Sequence, residues 1–237
     1  MRKRFIKTKR QGFNVRIDSE KKRFKNFGGI LMVDKNDRSS EIIVKSLPTK
    51  AAEPAALGLF GLAVATLVLG AADLGLTSSA KSLIIPWVLF FGATAQLIAG
   101  FMDFKRNNIF GATVFSVYAM TMYSIALTLF IVIFTGVTFD ISHYGFGLIA
   151  ILIFSIIATV ASLMTNKLLF AILIAVDLAV VSLIPHYLYG YPPTAAGIFL
   201  MLTSALSFYS AAAVLFNSMA GKTVLPLGKP ILNTKKD

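Results

Sequence analysis

The 237-residue sequence contains no cysteine, which excludes disulfide bonds, thiolate zinc sites, iron–sulfur ligation and cysteine nucleophiles. Charge is also scarce, because charged residues make up 14% of the chain whereas 56% of it is hydrophobic. A typical soluble domain has about 45–50% apolar and about 25% charged residues. The mean hydropathy of +0.75 therefore exceeds what one soluble core can bury, and it favours a polytopic membrane protein.

The common signatures of hydrolases and nucleotide-binding enzymes are missing as well. The sequence has no HExxH, no GxSxG and no phosphate-binding GxxxxGK[ST] motif. It has two histidines, His143 and His186, and neither lies deep in an apolar run. We therefore expect no enzymatic activity, no cofactor and no metal site.

The positive charge is concentrated at the N-terminus. Fifteen of the 23 lysines and arginines precede residue 54, and the segment 1–53 carries a net charge of +9. We interpret residues 1–52 as a basic cytoplasmic arm, either disordered near anionic headgroups of the lipid bilayer or forming a small hairpin from GGILMV and EIIVKSL. No aromatic-rich recognition motif accompanies the charge, so nucleic acid is not expected as a partner.

Six apolar runs follow the arm and predict the fold class. Each is about 18 residues or longer, which is enough to cross about 30 Å of hydrocarbon as a helix. None alternates as a membrane barrel strand does. We predict an all-α membrane protein with a six-transmembrane-helix bundle over residues 53–221 and a cytoplasmic tail over 222–237. The predicted spans are Ala55–Ala72, Ser82–Met102, Ile109–Val137, Tyr144–Met164, Leu168–Leu188 and Thr194–Met219.

The distribution of basic residues between the loops predicts the orientation. The two termini and the loops after the second and fourth spans hold 22 lysines and arginines, whereas the opposite side holds only Lys81. Basic residues favour the cytoplasmic side. Both termini are therefore predicted to be cytoplasmic.

Asp177 is the only acidic residue well inside an apolar run. A carboxylate at the centre of a bilayer costs about 2.5–3.5 kcal/mol on insertion scales, so it should face the bundle interior. Two interpretations stay open: a proton-coupling or pore-lining carboxylate, and a helix contact hydrogen-bonded to a Ser, Thr or Tyr of a neighbouring span.

Three separated strings resemble motifs of one family. EPAALGLFGLA, at the start of the first span, is similar to the NPAPLGL signature of the acetate uptake transporter family. AQLIAGFMDFKRNNIFGATVFSVYA resembles that family's AQIFAGLLEYKKGNTFGLTAFTSYG pattern, and FYSAAAVLFNSMAGKTVLPLGKP resembles its sixth helix and GRTVLPIG tail. Order, spacing and span count agree over about residues 53–230.

The resemblance implies a homohexamer in the plasma (inner) membrane with a separate path through each protomer. Its substrates would be acetate and related small monocarboxylates, in some members also succinate. Transport would proceed as proton symport or through an anion channel. The alternative is a membrane sensor or adaptation protein, or an ammonium exporter, of the same family.

The same resemblance assigns roles to individual positions. Leu62, Tyr118 and Val176 would form a hydrophobic constriction, and Ser207 would be linked to substrate size. The substrate entrance would include Glu53, Pro54 and Leu57. Polar motif positions are Gln96, Asn108, Tyr209 and Asn217.

Four of these positions depart from the family pattern. Leu62 and Val176 replace larger side chains, a phenylalanine and a leucine, and Asp177 stands where a hydroxyl residue is expected. Glu53 replaces an asparagine near the expected anion entrance. It is predicted to be protonated, turned to solvent or paired with Lys50.

Overall fold

The computed structural model describes residues 52–77, 83–136 and 140–232, together with four two-residue strands within the first 50 residues. Strand β1 (Ile6–Lys7) pairs antiparallel with β2 (Asn14–Val15), and β3 (Lys25–Asn26) pairs antiparallel with β4 (Gly29–Ile30). The second strand of the hairpin predicted from GGILMV and EIIVKSL lies outside the described residues. Residues 1–50 and 51–237 form two separate compact units.

Six helices long and apolar enough to cross a membrane make up the second unit, which confirms the predicted spans. At a rise of about 1.5 Å per residue they are about 28–40 Å long. They are α1 (Ala55–Asp73), α2 (Ile84–Lys105), α3 (Ile109–Phe134), α4 (Ser142–Ser162), α5 (Lys167–Tyr189) and α6 (Thr194–Ala220).

Local capping residues explain several of the helix boundaries. Asn108 and Asn166 cap α3 and α5, because their side-chain oxygens accept hydrogen bonds from the backbone N–H groups of Gly111 and Leu169. Helices α5 and α6 end at glycines, Gly190 and Gly221, in the left-handed conformation that glycine adopts without strain.

The helices are arranged as a closed ring. Each packs on the next along the chain, α6 returns to pack extensively on α1, and the α3–α4 contact is the sparsest. We call the end of the ring where α1 begins and α6 ends the inner end, and the opposite end the outer end. Since successive helices alternate in direction, Arg106 and Asn166 lie at the inner end, and Asp73 and Gly190 at the outer end.

Helix α2 contains an internal π-helical segment, Val88–Ala95, that the sequence did not predict. Within it, the Thr94 hydroxyl donates to the Leu89 carbonyl over 2.9 Å and lies 3.0 Å from the Tyr123 hydroxyl of α3. The segment lies against α1 at Gly61, where a Cβ atom would fall 2.3 Å from the Phe91 carbonyl oxygen. Only a glycine therefore permits this approach of α1 and α2.

The chain after α6 folds back across the inner end. The amide N–H of Leu168 donates to the Leu227 carbonyl, and the amides of Ile231 and Leu232 both donate to the Leu163 carbonyl. The returning segment thus connects the start of α5 and the end of α4 to the C-terminal residues.

Candidate functional site: a cavity inside the helix ring

A cavity of about 100 Å³ lies inside the ring of helices. Leu62 of α1, Tyr118 of α3 and Val176 of α5 all contribute to its wall, and only 5%, 4% and 8% of their surfaces are exposed. Each lies near the middle of its helix. The three residues proposed for the constriction therefore come together at one cavity, at the middle depth of the bundle.

All six helices contribute to the cavity wall. Helices α2 and α6 add Ile84 and Leu200, and α4 adds Leu148 and Ile151. The wall is mainly aliphatic, with a few hydroxyl groups from threonine and tyrosine. A cavity with few polar groups suits a small solute that must leave as easily as it binds.

The cavity extends from mid-depth to the outer end of the ring. There its wall includes Asp73, Tyr144 and Tyr187, from the ends of three different helices. The rings of Tyr144 and Tyr187 are 4.4 Å apart between centroids and inclined by 59°. These residues were not among those predicted from the sequence. The position of a tyrosine near the end of an apolar run could have pointed to these two residues. However, tyrosine is common at membrane interfaces in general, so this position does not by itself indicate a cavity.

Four polar side chains form a hydrogen-bonded network that begins at the cavity wall and ends at the partly buried Asp177. The Tyr118 Oη atom is 2.7 Å from the Ser155 Oγ atom of α4. The Ser155 hydroxyl donates in turn to one carboxylate oxygen of Asp177, and the Thr159 hydroxyl donates to the other over 2.7 Å. Ser155 is fully buried and Thr159 is 5% exposed. The structure thus brings Asp177 to hydroxyl groups of a neighbouring span, and it joins this carboxyl to the cavity wall through Ser155.

Gln96 and Ser207 are fully buried in the middle of α2 and α6. Among the described residues, the side-chain nitrogen and oxygen of Gln96 and the hydroxyl of Ser207 have no hydrogen-bond partner. Neither side chain belongs to the wall of the cavity described above. A buried polar group without a protein partner calls for an explanation, and contact with a polar solute is one.

Glu53 is paired at the inner end with a residue that the sequence analysis did not propose. Its Oε2 atom is 2.6 Å from the Nη2 atom of Arg106, and both side chains are about one-third exposed, at 31% and 30%. Arg106 also lies 3.9 Å from the Asp103 carboxylate. The hydrogen bond that Arg106 donates to Glu53 raises the pKa of Arg106 above its already high ordinary value.

The remaining entrance residues are placed at the start of α1. Pro54 precedes the first turn, and its carbonyl accepts a hydrogen bond from the Gly58 amide. Backbone N–H groups at the start of a helix have no partner inside it, so this position suits proline, which has no N–H to donate. The Ala55 amide donates over 3.4 Å to the Glu53 carboxylate, so the chain itself supplies a carboxylate to this helix start. Leu57 is 44% exposed.

Tyr209 and Asn217 hold the C-terminal segment at the inner end. The Asn217 side-chain oxygen accepts from the amides of Val224 and Leu225, at 2.6 and 3.0 Å, and its nitrogen donates to the Leu225 carbonyl. The Tyr209 hydroxyl donates to the Pro226 carbonyl over 3.1 Å. These contacts assign the two motif positions to tail docking.

Comparison with known proteins agrees with this architecture. The model of the GPR1/FUN34/YaaH family matches residues 39–228. The Escherichia coli K12 succinate-acetate/proton symporter SatP is 27% identical over 202 residues, covering 76% of this chain and 97% of that protein. An uncharacterised protein of Methanothermobacter thermautotrophicus is 32% identical over 97 residues, or 41% of this chain, and the match spans 46% of that protein.

A solved structure has the same fold. The structure of the bacterial acetate channel SatP superposes with a TM-score of 0.70 at 25% sequence identity, covering 76% of this chain and all of that chain. The family model alone spans most of the chain described above, including all six helices. The chain therefore belongs to the GPR1/FUN34/YaaH family.

Proposed function

We propose that the protein transports acetate and related small monocarboxylates across the plasma membrane through the cavity of each subunit. The observation that carries this proposal is the meeting of Leu62, Tyr118 and Val176, from three separate helices, at one cavity inside a ring of membrane-spanning helices. The names of the relatives support it, since one is a succinate-acetate/proton symporter and the other an acetate channel.

The chemistry of the cavity favours passage of the carboxylate together with a proton. Moving an isolated carboxylate from water into an apolar environment costs much more free energy than moving the neutral acid. The aliphatic wall offers no lysine or arginine among the described residues that line it. A hydroxyl group such as that of Tyr118 can hydrogen-bond to either form of the acid.

Two further features complete the proposal. The distribution of basic residues supports cytoplasmic termini. The end of the cavity at Asp73, Tyr144 and Tyr187 then faces away from the cytoplasm.

The family resemblance supports assembly as a homohexamer with one path per protomer. Native mass spectrometry of the detergent-solubilised protein tests the stoichiometry, and a monomer or dimer as the sole species would contradict it.

Uptake of labelled acetate into proteoliposomes tests the transport function. Wild-type protein should accelerate uptake above the leak of protein-free liposomes. Leu62→Trp should abolish this gain because the larger side chain would fill the cavity. Leu67→Trp is the matched control, since Leu67 is on the same helix and is 39% exposed. Equal uptake by wild-type protein and Leu62→Trp would overturn the proposed path.

The same vesicles separate proton symport from an uncoupled channel. Acetate uptake is measured at a fixed acetate concentration with and without an inward proton gradient, and the passive leak of acetic acid is subtracted. A higher rate with the gradient is expected for symport. Equal rates would leave acetate transport in place and exclude the coupling.

Deletion of residues 1–50 separates transport from the sensor alternative. If residues 51–237 are the transport unit, the shortened protein should retain acetate uptake. Complete loss of uptake from a correctly inserted protein would instead assign an essential role to the basic arm.

A further inference from the structure

The hydrogen bonds around Asp177 define a continuous path from the cavity to a carboxyl group inside the membrane. Tyr118 belongs to the cavity wall, Ser155 lies behind it, and Asp177 is the next partner. Thr159 also donates to Asp177, but it lies on the far side of the carboxyl from this path. Ser155 is thus the one link between Asp177 and Tyr118 among the described residues.

Counting protons fixes the direction of each hydrogen bond when Asp177 is ionised. A carboxylate can only accept, and a serine hydroxyl has one proton to donate. Because Ser155 gives that proton to Asp177, it must accept from the Tyr118 hydroxyl. Tyr118 then presents only oxygen lone pairs to the cavity. In this state it can bind the O–H group of a neutral acid but not a carboxylate.

Protonation of Asp177 at the oxygen that faces Ser155 allows every bond in the chain to reverse. The carboxyl O–H donates to Ser155, Ser155 donates to Tyr118, and the Tyr118 O–H becomes free to donate into the cavity. In this state Tyr118 can bind a carboxylate. The charge of Asp177 therefore determines which form of the substrate the cavity wall can hold.

We propose that Tyr118, Ser155 and Asp177 form a proton relay that couples movement of the carboxylate to movement of one proton. The carboxylic acid in the cavity gives its proton to the Tyr118 oxygen, Tyr118 gives its own proton to Ser155, and Ser155 gives its own to Asp177. One O–H bond forms and one breaks at each hydroxyl. The acid becomes a carboxylate, Asp177 becomes neutral, and the Tyr118 O–H now points at the anion. The reverse sequence releases the neutral acid.

Asp177 is only partly buried, and the described side chains that hydrogen-bond to it are hydroxyls. Helix α4 faces it with Ser155 and Thr159, and α3 contributes the Tyr118 phenol through Ser155. Helix α6, which also packs on α5, contains no Asp, Glu, Lys, Arg or His, and its one tyrosine, Tyr209, contacts the tail. In the part of the chain that the structure describes, no basic side chain forms an ion pair with Asp177.

Ser155→Ala and Thr159→Val test the relay as a matched pair. Each substitution removes one hydroxyl that donates to Asp177, but only Ser155 also contacts Tyr118. The initial rate of labelled acetate uptake is measured in two conditions: with an inward proton gradient at zero membrane potential, and with an inside-positive potential at equal pH. Acetate–acetate exchange, which needs no net proton movement, is measured in parallel.

The relay predicts different behaviour for the two variants. Thr159→Val should respond to the proton gradient as the wild-type protein does. Ser155→Ala should keep exchange, lose its response to the proton gradient and gain a response to the potential, because the anion then crosses alone. A Ser155→Ala protein that keeps its response to the proton gradient would overturn the relay.

A spectroscopic measurement on the wild-type protein makes the relay testable even if Ser155→Ala does not fold. Infrared difference spectra on adding acetate at neutral pH should show a new band from a protonated carboxyl group, and Asp177→Asn should lack it. A wild-type spectrum without this band would overturn the relay.

This inference rests on the proposed transport of small carboxylates, and the exchange assay keeps the two apart. A wild-type protein without acetate exchange would overturn both. A wild-type protein with exchange, but with equal gradient responses in the two variants, would overturn only the relay.

Discussion

The Nη2 atom of Arg106 lies 2.6 Å from the Oε2 atom of Glu53, which connects the end of α2 to the start of α1 at the inner end of the bundle. This contact explains how a negative charge is accommodated close to the proposed inner entrance for the substrate. The glutamate is the nearer of the two carboxylates beside this guanidinium, the other being Asp103 at 3.9 Å, and it also accepts from the first amide of α1. Glu53 and Arg106 together therefore determine how much positive charge this entrance presents.

Replacing Glu53 with the asparagine of the family signature should make the inner entrance more attractive to anions. Glu53→Asn removes the nearer of the two carboxylates beside Arg106 and so leaves its charge less neutralised. A partly exposed ion pair is worth about 0.2–1 kcal/mol, so acetate efflux at low ionic strength should rise by up to about fivefold. The measurement is efflux of labelled acetate from right-side-out vesicles. High salt should remove the gain by screening.

The double variant Glu53→Asn with Arg106→Gln is the control for this effect. It has neither charge, so its efflux should return to the wild-type rate. A gain that persists in the double variant, or that salt does not reduce, would show that the charge of Arg106 is not its cause.

Enlarging Val176 should narrow the cavity and restrict the range of substrates. Val176→Leu adds one methylene to the wall beside Leu62 and Tyr118. One methylene in a close-fitting apolar site is worth about 1–3 kcal/mol, so uptake of a four-carbon acid relative to acetate should fall about tenfold or more. Competition of unlabelled acids with labelled acetate measures this ratio.

Val181→Leu is the matched control for Val176→Leu. Val181 is on the same helix but is 48% exposed, and it is not part of the cavity wall. Its substitution should leave the substrate ratio unchanged. An equal change in both variants would argue that the size of residue 176 acts through general packing.

The hydropathy of the sequence was sufficient to predict most of the fold. The predicted starts of three spans, at Ala55, Ile109 and Thr194, coincide with the observed helix starts. Each follows a residue that favours a helix start or interrupts the preceding segment, namely Pro54, Asn108 and Pro193. The π-helical segment of α2 was not predictable, because the residues that contact it, Gly61 of α1 and Tyr123 of α3, are distant in the sequence.

The candidate site was only partly predictable for a similar reason. The resemblance placed Leu62, Tyr118 and Val176 together, and the charge of Asp177 stood out in an apolar run. Ser155 gave no such signal, because isolated serines are common in membrane helices and their partners depend on helix rotation. Asp73, at the outer end of the cavity, was not predicted either. It is the last residue of α1, and a charged residue is common at the end of a membrane-spanning helix.

Adding one methyl group at Gly61 should destabilise the bundle. In Gly61→Ala, the new Cβ atom would fall 2.3 Å from the Phe91 carbonyl oxygen, so α1 and α2 must move apart. Overpacking of this kind costs about 1–3 kcal/mol. The melting temperature in detergent should therefore fall. Gly147→Ala, where nothing lies within 4 Å of the new Cβ, should keep or raise it. Equal melting temperatures would contradict the close helix contact.

Removing the Asn217 side chain should release the C-terminal segment from the inner end. Asn217→Ala deletes three hydrogen bonds to Val224 and Leu225. At about 0.5–1.5 kcal/mol for each bond, the population of the undocked segment should rise at least about tenfold. Limited trypsin digestion of inside-out vesicles measures this as faster cleavage after Lys222, because trypsin does not cleave the Lys229–Pro230 bond. Ser218→Ala, at the exposed neighbouring position, should be cleaved at the wild-type rate. If the two variants were cleaved equally fast, the Asn217 contacts would not be what holds the segment against the bundle.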